Sequence, residues 1–434
     1  MTLSWLSIFR LGLVQLCLGA LVVLMTSTLN RVMVVELALP AVLPGLLVGL
    51  HYAIQIPRPN WGCRSDTRGN RTRFVILGMA VLALGAFLAT LGMVWMQTAY
   101  LAGLVLSVLA YTLIGLGVGA SGTSLLALLA TATDPRRRAA AATITWLMMI
   151  FGIAVTATVV GKALDPYSAE RLLELVALVG ALAVALTTAA IWGIERRHRS
   201  ASPVPAEAPV PFRAGLAEVW AERRARHFTL FIFLSMTAYF MQELILEPYA
   251  GLSFGLTPGQ STQLSGAQNG GVFVGMLLVG IAATGLRIGS LRAWIMAGCL
   301  GSALSLLTLA LIGQTPEGGA LLLPATVALG LFNGMFAVAA IGSMMALAGE
   351  GRAAREGTRM GLWGASQAIA AGLGGLFGAA AVDVARQLTD DATAFGLVFT
   401  FEAGLFVIAA IMAQQIIGAA RRAPLTADFQ GDKA

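Results

Sequence analysis

Five carboxylates lie within or beside long apolar runs: Glu36, Glu243, Glu247, Asp383 and Glu402. A charge at the centre of a bilayer costs at least about 2.5–3.5 kcal/mol, so acids in such surroundings bind a proton, a substrate group or a metal-bound water, or else pair with a cation. Glu243 and Glu247 are four residues apart and share one helical face, with Gln242 beside them and Pro248 directly after, which predicts a kink or a stop there. Arg31, next to Asn30, is the cation available to this acidic set, and its pairing with one of the glutamates would tie the two halves of the chain together. His51, with Gln55 one turn on, is the one histidine inside an apolar run. It is either a helix-packing residue or a ligand, since neutral imidazole coordinates metals. Asn269, Asn333 and Gln367 read as interhelical hydrogen-bonding groups at about 0.6 kcal/mol each.

Other chemistry finds no residues to carry it. Cys17, Cys63 and Cys299 have neither disulfide nor zinc spacing, no metal site is expected, and no Gly-x-x-x-x-Gly-Lys-Ser/Thr loop is present to use ATP. No Ser-His-Asp set has its members at compatible depths, so an enzyme is not expected.

The elements that must hold these side chains are transmembrane helices. The chain is 58% hydrophobic and 11% charged, less than half the charge of a soluble domain, with mean hydropathy +0.82. A twenty-residue window predicts an all-α integral membrane protein with spans near 10–29, 33–56, 74–96, 101–130, 140–162, 172–194, 228–249, 265–285, 293–313, 321–348, 359–382 and 394–418. On this division Glu36 falls near the outer end of helix two. With both termini cytoplasmic, every Lys and Arg of the 28 except Arg31, Lys162, Arg171 and Arg386 lies on the cytoplasmic side, which sets the topology and explains the +7 charge without nucleic acid. Residues 195–227, with Pro203, Pro205, Pro209 and Pro211, read as a cytoplasmic linker between six-helix bundles at 1–194 and 228–418, followed by a tail at 419–434. Basic loops after the second and fourth helix of each half mark a weak repeat.

Two halves facing each other across the membrane midplane resemble the major facilitator superfamily. The segment Gly62-Cys-Arg-Ser-Asp66-Thr-Arg68-Gly69-Asn-Arg71 is similar to that superfamily's cytoplasmic loop signature, with Thr67 where a basic residue is usual. The resemblance implies a gate made by Gly62, Asp66, Arg68, Gly69 and Arg71 against the start of helix eleven.

Asn30-Arg-Val-Met-Val-Val-Glu36-Leu, Arg64-Ser-Asp66-Thr, Gln242-Glu243-Leu-Ile-Leu-Glu247-Pro248-Tyr249-Ala-Gly251 and Ser265-Gly-Ala-Gln-Asn269-Gly-Gly271 together resemble PucC-type proteins, the bacteriochlorophyll delivery branch of that superfamily. The resemblance implies an assembly factor of the photosynthetic membrane, with bacteriochlorophyll as cargo. The partners it implies are light-harvesting polypeptides, the reaction-centre complex and pigment-synthesis enzymes, in the inner or intracytoplasmic membrane. Candidate pigment anchors are His51 directly, or Glu243, Glu247 and Asn269 through water. The Gly-rich faces of helices four, eight and eleven are the candidate grooves for the ring. A proton-coupled transporter of a small amphiphile, with Glu243 or Glu247 as its proton site, and a pigment-free scaffold for antenna subunits remain open from the residues alone.

Overall fold

The computed structural model describes residues 3–55, 71–134, 137–195, 220–286, 288–315, 318–349 and 356–418, and these contain twelve long helices and no strand. In the first half they are α1 (Trp5–Val23), α2 (Val42–Ile54), α3 (Arg71–Trp95), α4 (Tyr100–Ala132), α5 (Arg138–Ala163) and α6 (Ala169–Ile191). In the second they are α7 (Arg223–Phe254), α8 (Pro258–Val279), α9 (Leu291–Ile312), α10 (Gly319–Gly349), α11 (Glu356–Arg386) and α12 (Asp391–Gly418). Eleven helical stretches are long and apolar enough to cross a membrane, whereas α2 ends just before residues 56–70, which lie outside the described set. The Gly62, Asp66, Arg68 and Gly69 positions fall there, and most of the 195–227 segment is likewise outside.

Each half packs around an apolar core of its own. Leu11, Met79, Ile114 and Val176 belong to the first, and Phe231, Cys299, Phe336 and Phe406 to the second. Small apolar contacts join the halves: Val34 and Ala41 with Ala379, Ile150 with Val272 and Met276, Tyr52 with Phe240, and Leu244 against the first core. Lipid-facing surface accounts for the exposed Leu, Val and Phe on outer helix faces.

Two helix boundaries differ from the expected ones, for related reasons. The first apolar helix does not stop at Asn30 and Arg31: it continues through π-helical turns, Leu24–Leu29 and Val32–Glu36, and breaks only before Pro40, with Ala38 at a positive φ of 49°. Asn30, Arg31 and Glu36 therefore end the first helix rather than begin the second. Likewise α7 neither ends nor breaks at Pro248 but runs on to Phe254, where Gly255 closes it with a left-handed φ of 68°. In both places polar side chains find partners across the halves, and this removes the reason to leave the helix.

Helix ends are capped by side chains from distant segments. Glu195 accepts hydrogen bonds from the amides of Arg71 and Thr72, at 2.9 and 2.8 Å, at the start of α3. Asp383, on α11, accepts from the amides of Ala41 and Val42, at 2.9 and 2.7 Å, at the start of α2. A carboxylate is favoured at a helix N-terminus because four N–H groups there lack intrahelical partners. Arg10 reaches the carbonyls of Ala189 and Trp192 at the end of α6.

Most glycines of the runs on helices four, eight and eleven are spent on helix packing and not on open grooves, whereas a Cβ at Gly270 on α8 would have nothing within 4 Å. A Cβ at Gly117 would lie 2.6 Å from Leu82 N, and one at Gly115 2.8 Å from His51 O. Gly271 faces the α10 backbone, and Gly374 and Gly378 face α7. Gly117→Ala should accordingly cost about 1–3 kcal/mol through overpacking. Gly404→Ala, at a position with nothing within 4 Å, should be neutral or stabilising by up to about 1 kcal/mol. Thermal unfolding of the two purified variants in detergent checks the contrast.

Candidate functional site

Tyr239, Glu243 and Glu247 follow one another at four-residue spacing down one face of α7, and α1 and α8 meet that face. The three helices come together because each carries a polar stripe that an apolar core cannot take: Thr26-Ser27-Thr28 on the π-helical continuation of α1, the glutamates on α7, and Ser261, Thr262, Ser265 and Asn269 on α8. A capping box between Thr257 and Gln260, with Pro258 at the first helical position, starts α8 so that Ser261 and Thr262 lie opposite Glu247.

Glu247 is 1% exposed and surrounded by hydroxyls. Ser27 Oγ donates to its Oε1, while Ser261 Oγ and Thr262 Oγ1 each lie 3.5 Å from its Oε2. Ser265 Oγ is 2.8 Å from Ser27 Oγ, and Thr28 Oγ1 is 3.2 Å from Thr262 Oγ1. Glu243, one turn earlier, is half-buried and faces Thr26.

Arg31 is 2% exposed, and its ion pair is made with Glu36, not with Glu243 or Glu247 as anticipated. Its second guanidinium nitrogen donates to Leu256 O at 2.6 Å, just beyond the C-terminus of α7, where carbonyls are unpaired and a cation is favoured. Gly251 leaves room for the passage: a Cβ there would lie 3.0 Å from Arg31 Nη2. Tyr167, in the loop between α5 and α6, sits beside this pair. Burial holds its hydroxyl above the usual tyrosine range, Glu36 adds to that and Arg31 opposes it.

Asn30 has a distinct task. Pro248 has no N–H, so the carbonyl of Leu244, four residues earlier, loses its partner within α7. Asn30 Nδ2 donates to that carbonyl at 2.6 Å. The proline break is thus repaired from the other half of the molecule.

The remaining expected residues scatter. Glu402, fully buried on α12, lies against the backbone of Gln242 on the second-half side of α7, and neither of its oxygens has a hydrogen-bond partner. Gln242 Oε1 is also without one. His51 bonds Gln55 through Nε2 at 2.8 Å, away from the α7 stripe. Asn269 is half-buried and donates to Ser265 O within its own helix at 3.0 Å. Arg71, the one expected gate residue among those described, meets Glu195 through its amide and Ala127 O through its side chain. The hydroxyls of Ser27, Thr28, Ser261 and Thr262 are functional groups that the sequence reading passes over. Their signal is two short Ser/Thr clusters inside apolar helices.

The seam predicts a specific coupling. Asn30→Leu should destabilise by about 1–3 kcal/mol by leaving Leu244 O unpaired in low dielectric. Pro248→Ala restores the N–H to that carbonyl, so the same Asn30→Leu change should cost far less in its background. A double-mutant cycle on thermal or denaturant unfolding measures this, and strictly additive losses would contradict the repair.

The family model described as PUCC protein matches residues 28–421. The "Bacteriochlorophyll synthase 44.5 kDa chain" of Rhodobacter capsulatus is 69% identical over 96% of this chain and 97% of its own length. Protein PucC of the same organism is 30% identical over 85% of this chain and 81% of its own, and Protein PucC of Cereibacter sphaeroides is 29% identical over 93% and 90%. Among solved structures, a bacterial homologue of the human drug peptide transporters PepT1 and PepT2 superposes with a TM-score of 0.72 at 14% identity, covering 96% of this chain and 99% of that one. A bacterial homologue of the human lysosomal transporter Spinster gives 0.70 at 15% identity, with 97% and 98% coverage. At such identities the likeness concerns the fold, which is that of the major facilitator superfamily. With the family match spanning nearly its whole length, this multi-pass membrane protein belongs to the PUCC protein family.

Proposed function

We propose that this chain is an assembly factor of the bacterial photosynthetic membrane that accepts bacteriochlorophyll and hands it to light-harvesting polypeptides. The observation that carries the reading is the 69% identity, over nearly the full length of both chains, to a protein named for bacteriochlorophyll. That relative is called a synthase, but the transporter-like fold and the match to the PUCC protein family support a non-catalytic role for this chain. The distribution of Lys and Arg supports both termini in the cytoplasm, with the seam at the opposite face, in the inner or intracytoplasmic membrane. Partners are antenna polypeptides, the reaction-centre complex and the enzymes that supply pigment.

A bacteriochlorophyll ring with its isoprenoid tail exceeds the roughly 300–1,000 Å³ of ordinary small-molecule sites, so it lies partly in lipid. Its magnesium is a hard cation that takes oxygen ligands and retains water. His51 fits this poorly, because its ring is engaged with Gln55, and Glu247 is enclosed. Glu243 and Asn269 are half-buried and hold the metal through water. Asn30 supports α7 from the first half, and Glu402 lies against it at Gln242.

Reconstitution of the purified protein with bacteriochlorophyll, followed by the near-infrared band, tests this. Wild type and His51→Leu should bind alike, whereas Glu243→Gln and Asn269→Leu should each weaken binding about tenfold, near 1.4 kcal/mol. If wild type takes up no pigment while antenna polypeptides still co-purify, delivery is wrong and the protein is a scaffold. Proton-driven flux of a small amphiphile without pigment binding would make it a transporter.

A further inference from the structure

The face of α8 turned toward α5 carries Gly259, Gln263, Gly266, Gly270 and Phe273, at three- and four-residue spacing. Near the start of α8 the two helices lie backbone to backbone. A Cβ at Gly259 would be 2.6 Å from Gly161 O, and one at Gly266 would be 2.8 Å from Thr158 N and 3.1 Å from Ala154 O. One turn further on, a Cβ at Gly270 would have nothing within 4 Å. On the next turn the helices meet again, now through side chains. The rings of Phe273 and Phe151 are 5.8 Å apart and tilted by 55°, and Ile150 packs on Val272 and Met276. The contact between the halves therefore has a notch at Gly270, with close-packed backbone to one side and two aromatic rings to the other.

The notch opens sideways to the bilayer. Val274, one turn from Gly270 on the same face, is 52% exposed, and Phe151 and Val155 on α5 are 46% and 42% exposed. Gly270 lies about 18 Å along α8 from its start, near the middle of a span. No Asp, Glu, Lys or Arg occurs at 139–161 on α5 or anywhere in α8, so a charged occupant would find no partner there. One polar atom stands at the rim. Asn269 Nδ2 donates to Ser265 O at 3.0 Å, which leaves Oδ1 as an acceptor without a hydrogen bond among the described residues. A phospholipid fits this poorly, because its charged head belongs at the membrane surface. A flat, uncharged ring with one polar centre fits it well, since aromatic side chains take such a ring edge-on or offset.

We propose that the notch at Gly270 is the seat for the macrocycle of an uncharged, lipid-soluble pigment, entered from the bilayer between α5 and α8, with Asn269 Oδ1 toward its polar centre. This rests on the pigment reading above and deepens it by giving the ring a place. The two walls belong to different halves, so movement of one half against the other widens or closes the seat.

Two measurements test it. The first needs no pigment: a nitroxide on Gly270→Cys, with Cys17, Cys63 and Cys299 replaced, should in liposomes collide readily with oxygen and little with a water-soluble nickel chelate. The reverse pattern overturns a notch open to lipid, whatever the protein carries. The second is reconstitution with bacteriochlorophyll, followed by the near-infrared band. Gly270→Leu should weaken binding about tenfold, and Phe151→Leu and Phe273→Leu should each weaken it several-fold. Gly404→Leu, at an equally open position on α12, should leave it unchanged. If Gly270→Leu is not a single species on gel filtration, Gly270→Ala replaces it, with a loss of about threefold. Binding that Gly270→Leu retains overturns the seat and leaves delivery standing, as does an equal loss in Gly404→Leu. No binding by wild type overturns both.

Discussion

Backbone polar groups cannot be left unpaired in a bilayer, and at this protein's central seam three sets of them have no partner within their own helix. Pro248 deprives Leu244 of its donor, the Leu256 carbonyl just past α7 lies outside any helix, and the first turn of α2 presents free amides. Asn30 serves the first, Arg31 reaches the second, and Asp383 holds the third. In each case the side chain comes from the opposite half. The halves are therefore fastened by the same requirement that makes each helix a helix.

This arrangement explains why the seam is built where the helices are irregular. The π-helical turns of α1 shift the register so that Ser27, Asn30 and Arg31 all reach α7 or the short connection between α7 and α8. Helix-end bonds of this kind allow the halves to part, because on separation the same groups can be met by water at the membrane edge. Most of each extensive core lies inside one half, and apolar contact between the halves runs through smaller groups such as Leu244 against the first core, Tyr52 with Phe240, and Ile150 with Val272 and Met276. Rigid-body movement of one half against the other leaves those cores intact.

Much of the fold is legible in the sequence, because apolar runs of twenty residues and the placement of Lys and Arg both derive directly from the bilayer. The acidic stripe of Glu243 and Glu247 is legible for the same reason. Pairing is not. Arg31 has several carboxylates within plausible reach, and only the continuation of α1 to Glu36 makes the near one its partner. Asn30 reads as a helix end, since nothing local reveals that its target is a carbonyl orphaned more than two hundred residues later. The glycines of α4 and α11 read alike whether they face a ligand or another helix, and the structure gives them to helices.

All of these contacts across the halves require the seam to be shut at the end away from the linker. Val35 and Leu252 pack there in one apolar cluster drawn from both halves, together with Val34, Ala41 and Ala379. Oxidative crosslinking of Val35→Cys with Leu252→Cys, in a background with Cys17, Cys63 and Cys299 replaced, reports on it in native membranes. Rapid and nearly complete crosslinking in the resting protein is the expected result. Failure to crosslink, in protein whose two cysteines react freely with a water-soluble maleimide, would contradict the closed seam.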